Sequence, residues 1–323
     1  MKHGGDPPGD GWLDLSTGIS PFSYPLTQLP GEAWTRLPTA SALKRLHVAA
    51  RHAYRCAPSY AVVAAPGTQI LIQLIPFLRP GARVGVVSPT YAEHAACWRL
   101  AGSDVALIGG LEESDGCDVA VVVNPNNPDG RTHSPDPLAA AGARLAKRGG
   151  FLVVDEAFAD CAPEISVCGS GGDGLIALRS FGKFYGMAGL RLGFAVGAPA
   201  LMEKLAALLG PWAVSGPALH VGEAALRDAA WAEKARREHG RLADRLDGIL
   251  RASGCEIVGG APLYRLAAHP QAGRLHANLA SRRIWTRVFD FNPAWVRFGL
   301  PGSDDDFARL EAALAEFTDQ SSA

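Results

Sequence analysis

An α/β fold is what this sequence predicts, on three observations. Short apolar runs bounded by turn-forming residues alternate with segments of helical period. Two of the most apolar runs, Val119–Val123 and Phe151–Val154, end in polar residues, and open α/β sheets gather their ligands at such strand ends. At 323 residues, 48% hydrophobic and 20% charged, the chain exceeds a typical single domain and predicts one large domain with a smaller partner.

An irregular N-terminal arm occupies residues 1–40, where Ser16-Thr-Gly-Ile-Ser-Pro-Phe-Ser-Tyr-Pro25 is dense in turn formers. A large domain follows over 41–212. It opens with a helix over Ser41–Arg55, whose Leu43, Leu46 and Ala50 share one face. Strands are predicted at Arg83–Val87, Val105–Ile108, Val119–Val123, Phe151–Val154, Leu175–Leu178 and Leu192–Val196. Helices fall near Ile70–Leu78, Ala92–Ala101 and Pro137–Arg148. The smaller domain, 213–323, starts with one long charged helix over Ala218–Ala252. Strands near Glu256–Val258, Leu263–Leu266 and Val296–Leu300 follow, then a closing helix over Asp304–Phe317. Gly169-Ser-Gly-Gly-Asp-Gly174 has the spacing of a nucleotide-binding glycine motif. It precedes a strand rather than joining strand to helix, so it reads as a surface loop.

Chemistry concentrates in Arg179-Ser-Phe-Gly-Lys-Phe-Tyr-Gly-Met-Ala-Gly-Leu-Arg-Leu-Gly193. Lys183 lies in a glycine-rich turn, with Ser180 three residues before it and Arg191 eight after. Its amine is suited to a Schiff base with an aldehyde cofactor, pyridoxal 5'-phosphate (PLP), while Ser180 and Arg191 hold an anionic group beside it. Asp155 ends the run Gly150-Phe-Leu-Val-Val-Asp and is placed to pair with a protonated pyridine nitrogen, keeping the ring an electron sink. Asn127, in Asn124-Pro-Asn-Asn-Pro-Asp-Gly130, has an amide for the ring's phenolate oxygen. The same asparagine-proline segment is also good turn chemistry.

Together these segments resemble the fold-type I PLP enzymes, the aspartate aminotransferase superfamily, along nearly the whole chain. The resemblance implies a mixed, mostly parallel sheet with helices on both faces and a smaller α+β domain. It implies Lys183 as the Schiff-base residue and Asp155 as the pyridinium partner. Tyr91, in Ser88-Pro-Thr-Tyr-Ala, is similar to the aromatic that stacks on the ring. Gly67-Thr68-Gln69 resembles the turn whose amides receive the cofactor phosphate at a helix N-terminus. Ser180 and Arg191 complete that phosphate cup, and Tyr54 is similar to a tyrosine that reaches the phosphate of a neighbouring subunit. A homodimer is implied. Two departures stand out: Phe158 replaces a tyrosine common in aminotransferases, and Gly182 replaces a frequent serine.

His3-Gly4-Gly5, followed by Trp12-Leu-Asp-Leu-Ser-Thr-Gly-Ile-Ser-Pro21, resembles the opening of the L-threonine-O-3-phosphate decarboxylases of the cobalamin pathway. Successive glycines let backbone N–H groups converge on an anion, here the substrate phosphate. That family often has asparagines where this chain has Gly18 and Ser20. Arg297, in Trp295-Val-Arg-Phe-Gly-Leu-Pro301, resembles the arginine that grips the substrate carboxylate, and Arg287 is either a second clamp or a surface residue. The expected activity is PLP-dependent decarboxylation of L-threonine O-3-phosphate to (R)-1-amino-2-propanol O-2-phosphate. The alternative is a histidinol-phosphate-type aminotransferase using glutamate and 2-oxoglutarate.

A formal net charge of −1 offers no electrostatic reason to expect nucleic acid. The six cysteines form no CxxC pair and have no histidine spacing suited to zinc, so no metal is expected and free thiols are. The first residues lack the apolar core of a secretion signal, and no apolar run approaches the roughly 20 residues that span a bilayer. A soluble cytoplasmic enzyme is expected.

Overall fold

The structure, a computed structural model, describes residues 4–26 and 28–322. The elements open with β1 (Leu13–Asp14), α1 (Glu32–Thr35), α2 (Ala40–Ala53), β2 (Ala61–Ala65), α3 (Thr68–Leu74), β3 (Arg83–Val87), α4 (Glu93–Leu100) and β4 (Asp104–Ile108). Next come β5 (Val119–Val123), α5 (Pro135–Ala146), β6 (Phe151–Asp155), β7 (Leu175–Ser180), α6 (Phe181–Phe184), β8 (Gly193–Gly197), α7 (Pro199–Leu209) and α8 (Gly216–Arg227). The chain closes with α9 (Ala229–Ala252), β9 (Glu256–Ala261), β10 (Tyr264–Ala268), α10 (Ala272–Ser281), β11 (Ile284–Trp285), β12 (Arg287–Phe289), β13 (Asn292–Gly299) and α11 (Asp304–Ser322). No helix among the described residues is long and apolar enough to cross a membrane.

Two compact units emerge, 24–127 with 131–231, and 1–23 with 128–130 and 232–323. The larger holds a seven-stranded sheet in the order β2-β8-β7-β6-β5-β3-β4. Strands β4, β3, β5, β6 and β7 pair in parallel, and β8 runs antiparallel to both its neighbours, giving the mixed, mostly parallel sheet. Alternate residues of these strands point to opposite faces. Val84, Val86, Val121, Val153, Ile176 and Leu178 face one layer, where they pack with residues of α3, α4 and α7. From the opposite face α5 packs on the sheet: a Cβ at Gly142 would stand 2.8 Å from Leu175 Cδ2, so only glycine permits that approach.

The smaller unit has a four-stranded antiparallel sheet, β12-β13-β10-β9, and a short parallel pair of β1 with β11. Helices α10 and α11 pack together, and α10 also lies against β13.

Three sequence expectations change. The long helix over Ala218–Ala252 is two helices, broken at Asp228, whose φ of −88° and ψ of 75° leave helical geometry. Asp228 Oδ1 accepts the Trp231 amide at 2.9 Å, so it starts α9 as an N-cap. The cuts expected after residues 40 and 212 do not match the units. Residues 24–40 and 213–231 stay with the larger one because α8 packs on α2, and a Cβ at Gly216 would meet the Ala33 carbonyl at 2.1 Å. Finally, β2, α7 and α10 went unrecognised; three of the five residues of β2 are alanine, which hides strand character.

Candidate active site

The chemistry-bearing residues of the larger unit sit where the parallel strands end. Asp155 is the last residue of β6, Ser180 the last of β7, and Lys183 lies in the single helical turn that follows. The Asn124–Gly130 turn follows β5. Asn124 uses its amide on the carbonyls of His133 and Ile165 and accepts the His133 amide. Asn126 donates to the Pro89 carbonyl and accepts from Thr90 Oγ1. These two hold the turn, and the half-buried Asn127 stands between them and Pro128.

Asp155 is 4% exposed, and a carboxylate so placed needs partners. The Ala157 amide donates to one oxygen at 3.0 Å, and His94 Nε2 lies 2.8 Å from the other. With the acid ionised, the imidazole N–H is the donor. His94 escaped the sequence reading. No local pattern marks it: it lies in the first turn of α4, three residues beyond Tyr91. The two rings meet edge-on, centroids 6.1 Å apart.

Tyr91 donates its hydroxyl to Gln69 Oε1 at 3.1 Å, and Gln69 donates to Glu93 at 3.0 Å. Burial, then the charges of Glu93 and Asp155, push the Tyr91 phenol up to about 12, so it stays protonated. Gln69 thus joins Tyr91 through its side chain.

Gly67 has φ of +86°, and a Cβ there would stand 2.6 Å from Arg191 Nη2. The backbone conformation calls for glycine, and the missing side chain lets the Arg191 guanidinium rest on it. Arg191 is itself left-handed at φ 53° and bonds the Ala188 carbonyl at 3.1 Å. A Cβ at Gly193 would be 2.7 Å from the Thr68 nitrogen, so the 67–68 turn lies directly on the start of β8. Ser180 N-caps α6 by position, but its hydroxyl makes no capping bond to that helix. The Lys183 amine lies 6.0 Å above the ring of Phe158, which is 4% exposed. Its neighbour there is apolar, without the hydroxyl a tyrosine would bring.

Tyr54 corrects an expectation. Instead of reaching outward, it is buried in its own unit, under the Arg179 guanidinium at 4.5 Å and edge-on to Phe194. Its hydroxyl has no hydrogen-bond partner among the described residues, and burial raises its pKa well above the usual phenol range. In this conformation it is a core residue.

In the smaller unit, the Gly5 amide donates to Ser16 Oγ at 2.8 Å, and Ser16 Oγ donates to Asp14 Oδ1 at 2.6 Å. A Cβ at Gly4 would meet the Ser16 carbonyl at 2.4 Å, so the glycine pair lies flat on the 14–17 segment. His3 lies outside the described residues. Arg297 is 7% exposed and donates to the Ser16 carbonyl at 2.6 Å. Burial, with a smaller push from Arg287, lowers its pKa to about 10, still charged at neutral pH. Arg287 stands directly opposite Arg297 in the β12–β13 ladder. Opposed like charges are unfavourable unless an anion joins them.

The donor set fits PLP. A buried acid supported by an imidazole, an apolar wall beside a lysine, and an arginine resting on a glycine are what a pyridinium, an imine carbon and a phosphate need.

The model of the family described as aminotransferase class I and II matches residues 35–314. The chain is 46% identical to a threonine-phosphate decarboxylase of Pseudomonas aeruginosa, with 98% of each chain covered. It is 42% identical to one of Sinorhizobium sp, over 97% of this chain and 94% of that one. The solved histidinol-phosphate aminotransferase of Sinorhizobium meliloti in complex with pyridoxal-5'-phosphate is similar with a TM-score of 0.82 and 19% identity, over 96% of this chain and 91% of that one. That likeness bears on the fold.

Proposed function

This chain belongs to the aminotransferase class I and II family, and from that premise we propose that it is a PLP-dependent decarboxylase of L-threonine O-3-phosphate. The observation that carries the reading is the 46% identity to a threonine-phosphate decarboxylase across 98% of both chains, N-terminal arm included. The product is (R)-1-amino-2-propanol O-2-phosphate, made for cobalamin synthesis. A cytoplasmic homodimer is the proposed setting.

When bound, PLP supplies the sink for the electron pair left at Cα as carbon dioxide departs. Lys183 would hold the cofactor through its amine and, once displaced by the substrate amine, would return a proton to Cα as general acid. Asp155, its charge supported by His94 and the Ala157 amide, would pair with the ring nitrogen, and Asn127 with the ring oxygen. Tyr91 would stack on the ring. Thr68 and Gln69 amides, Ser180 and Arg191 would hold the cofactor phosphate, with Gly67 making room. Arg297 and Arg287 are assigned to the substrate carboxylate, and the backbone of Gly4, with His3, to the substrate phosphate; the Gly5 amide is taken by Ser16 Oγ. Phe158 keeps water from the lysine.

The decisive assay supplies purified holoenzyme with L-threonine O-3-phosphate. Carbon dioxide and aminopropanol phosphate in equal amounts are expected. A keto acid formed from the substrate without carbon dioxide, with the cofactor converted to its amine form, and the same conversion when glutamate is supplied, would establish the aminotransferase.

A further inference from the structure

Asp155 and Glu156 are successive acids at the end of β6, and the backbone sends their side chains to opposite faces. Arg179 and Ser180 repeat this on β7. Asp155 and Ser180 serve the cofactor site, whereas Glu156 and Arg179, 0% and 2% exposed, are buried on the far face. There Glu156 accepts the Val167 amide at 2.6 Å, Ser166 Oγ at 2.6 Å and Arg179 Nη1 at 2.9 Å. The other guanidinium nitrogen, Nη2, donates to Asp160 at 2.7 Å. Burial opposes the arginine's charge, but Asp160 and Glu156 hold its pKa above the ordinary value.

Stability alone does not account for such a group. Buried ion pairs replaced by well-packed apolar residues are often neutral or more stable, because desolvation cancels the attraction. What the cluster does supply is a definite register. Glu156 ties the end of β6 to β7 through Arg179 and to the turn at 166–167, while its own amide bonds the Leu178 carbonyl at 2.9 Å. A shift of one residue would turn Glu156 toward the cofactor and carry Asp155 to the far face in its place. With two acids in sequence, the anchoring of one decides which faces the cofactor.

We propose that Glu156, Arg179 and Asp160 are positioning residues for the cofactor, setting Asp155 and Ser180–Lys183 from the opposite face of the sheet. This rests on the reading of Lys183 and Asp155 as the PLP site.

The test uses the full-length chain with Glu156→Gln, Arg179→Lys and Arg179→Met. Melting temperature, PLP dissociation constant, the induced circular dichroism of bound PLP and hydrogen exchange at amides 155–157 and 180–184 are measured. Glu156→Gln should keep the fold, weaken PLP about tenfold, the scale on which supporting residues act at metal sites, reduce the induced dichroism and speed exchange in both segments. Arg179→Lys should recover part of each. A lowered melting temperature with wild-type PLP affinity, dichroism and exchange would reduce the cluster to a structural filler and overturn the proposal. Should Arg179→Met fail to fold, Glu156→Gln decides. If the wild-type chain itself binds no PLP, it is the PLP reading that fails.

Discussion

The cofactor cradle of the larger unit and the arginine-and-arm region of the smaller are built on different principles. The cradle takes its residues from the ends of parallel strands and the turns after them, and neighbouring strands deliver Asp155 and Ser180 through regular pairing. The other region is assembled over long sequence distances: Arg297 holds the carbonyl of Ser16, 281 positions away, and His239 Nε2 bonds Ser20 Oγ at 2.8 Å, 219 positions away. On the proposed assignment, the cofactor's chemistry is held by the sheet, whereas the residues proposed for the substrate depend on a few buried side chains pinning an otherwise irregular arm.

Four experiments break or sharpen that contrast. The largest effect belongs to the cradle: Lys183→Ala should abolish both the Schiff-base absorbance and turnover, with far-ultraviolet dichroism unchanged. An active variant would remove the premise.

His239 supplies the next. It is 0% exposed and stacked on Phe22, and burial lowers its pKa to about 4. The folded-state value thus lies below the ordinary 6.5, so between these two values the unfolded chain binds more protons. Its contribution is complete above about pH 6.5 and declines as pH falls toward 4, by roughly 3 kcal/mol in all. Melting temperatures of wild type and His239→Gln from pH 7.5 to 4.5 should converge on acidification if the pinning is as described; parallel curves would count against it.

Arg297→Lys should cost about thirtyfold in kcat/KM for threonine phosphate, near 2 kcal/mol, because an ammonium cannot match the planar two-point grip. PLP affinity should not change, and if it falls equally the two regions are not separable in function. The smallest effect lies at the helix break. Asp228→Ala should remove about 1 kcal/mol of stability through its lost N-cap, seen in denaturant midpoints, with PLP binding untouched.

Local pattern made much of this legible. The run Phe151–Val154 with its terminal acid, the glycine-flanked lysine and the strands all express short-range rules; the structure follows them within two residues in the predicted strands of the larger unit, while β9 ends three residues later and β13 starts four residues earlier than expected. Features that escaped depend on remote partners. A tyrosine at position 54 reads alike whether it faces solvent or lies beneath Arg179, and nothing local marks His94 as the partner of Asp155. The break at Asp228 was hidden by helical periodicity on both sides, since one capping aspartate leaves the apolar spacing intact.

The amino-acid order by itself determined the α/β class, the lysine and the strand-end acid, because period and turn chemistry act over a few neighbouring residues. Only the tertiary structure decided that His94 supports that acid, that Arg287 and Arg297 stand opposed in one ladder, and that Glu156 turns inward to Arg179 while Asp155 does not. Strand register and the pairing of buried charges are settled by contacts between distant parts of the chain, where local propensity carries no information.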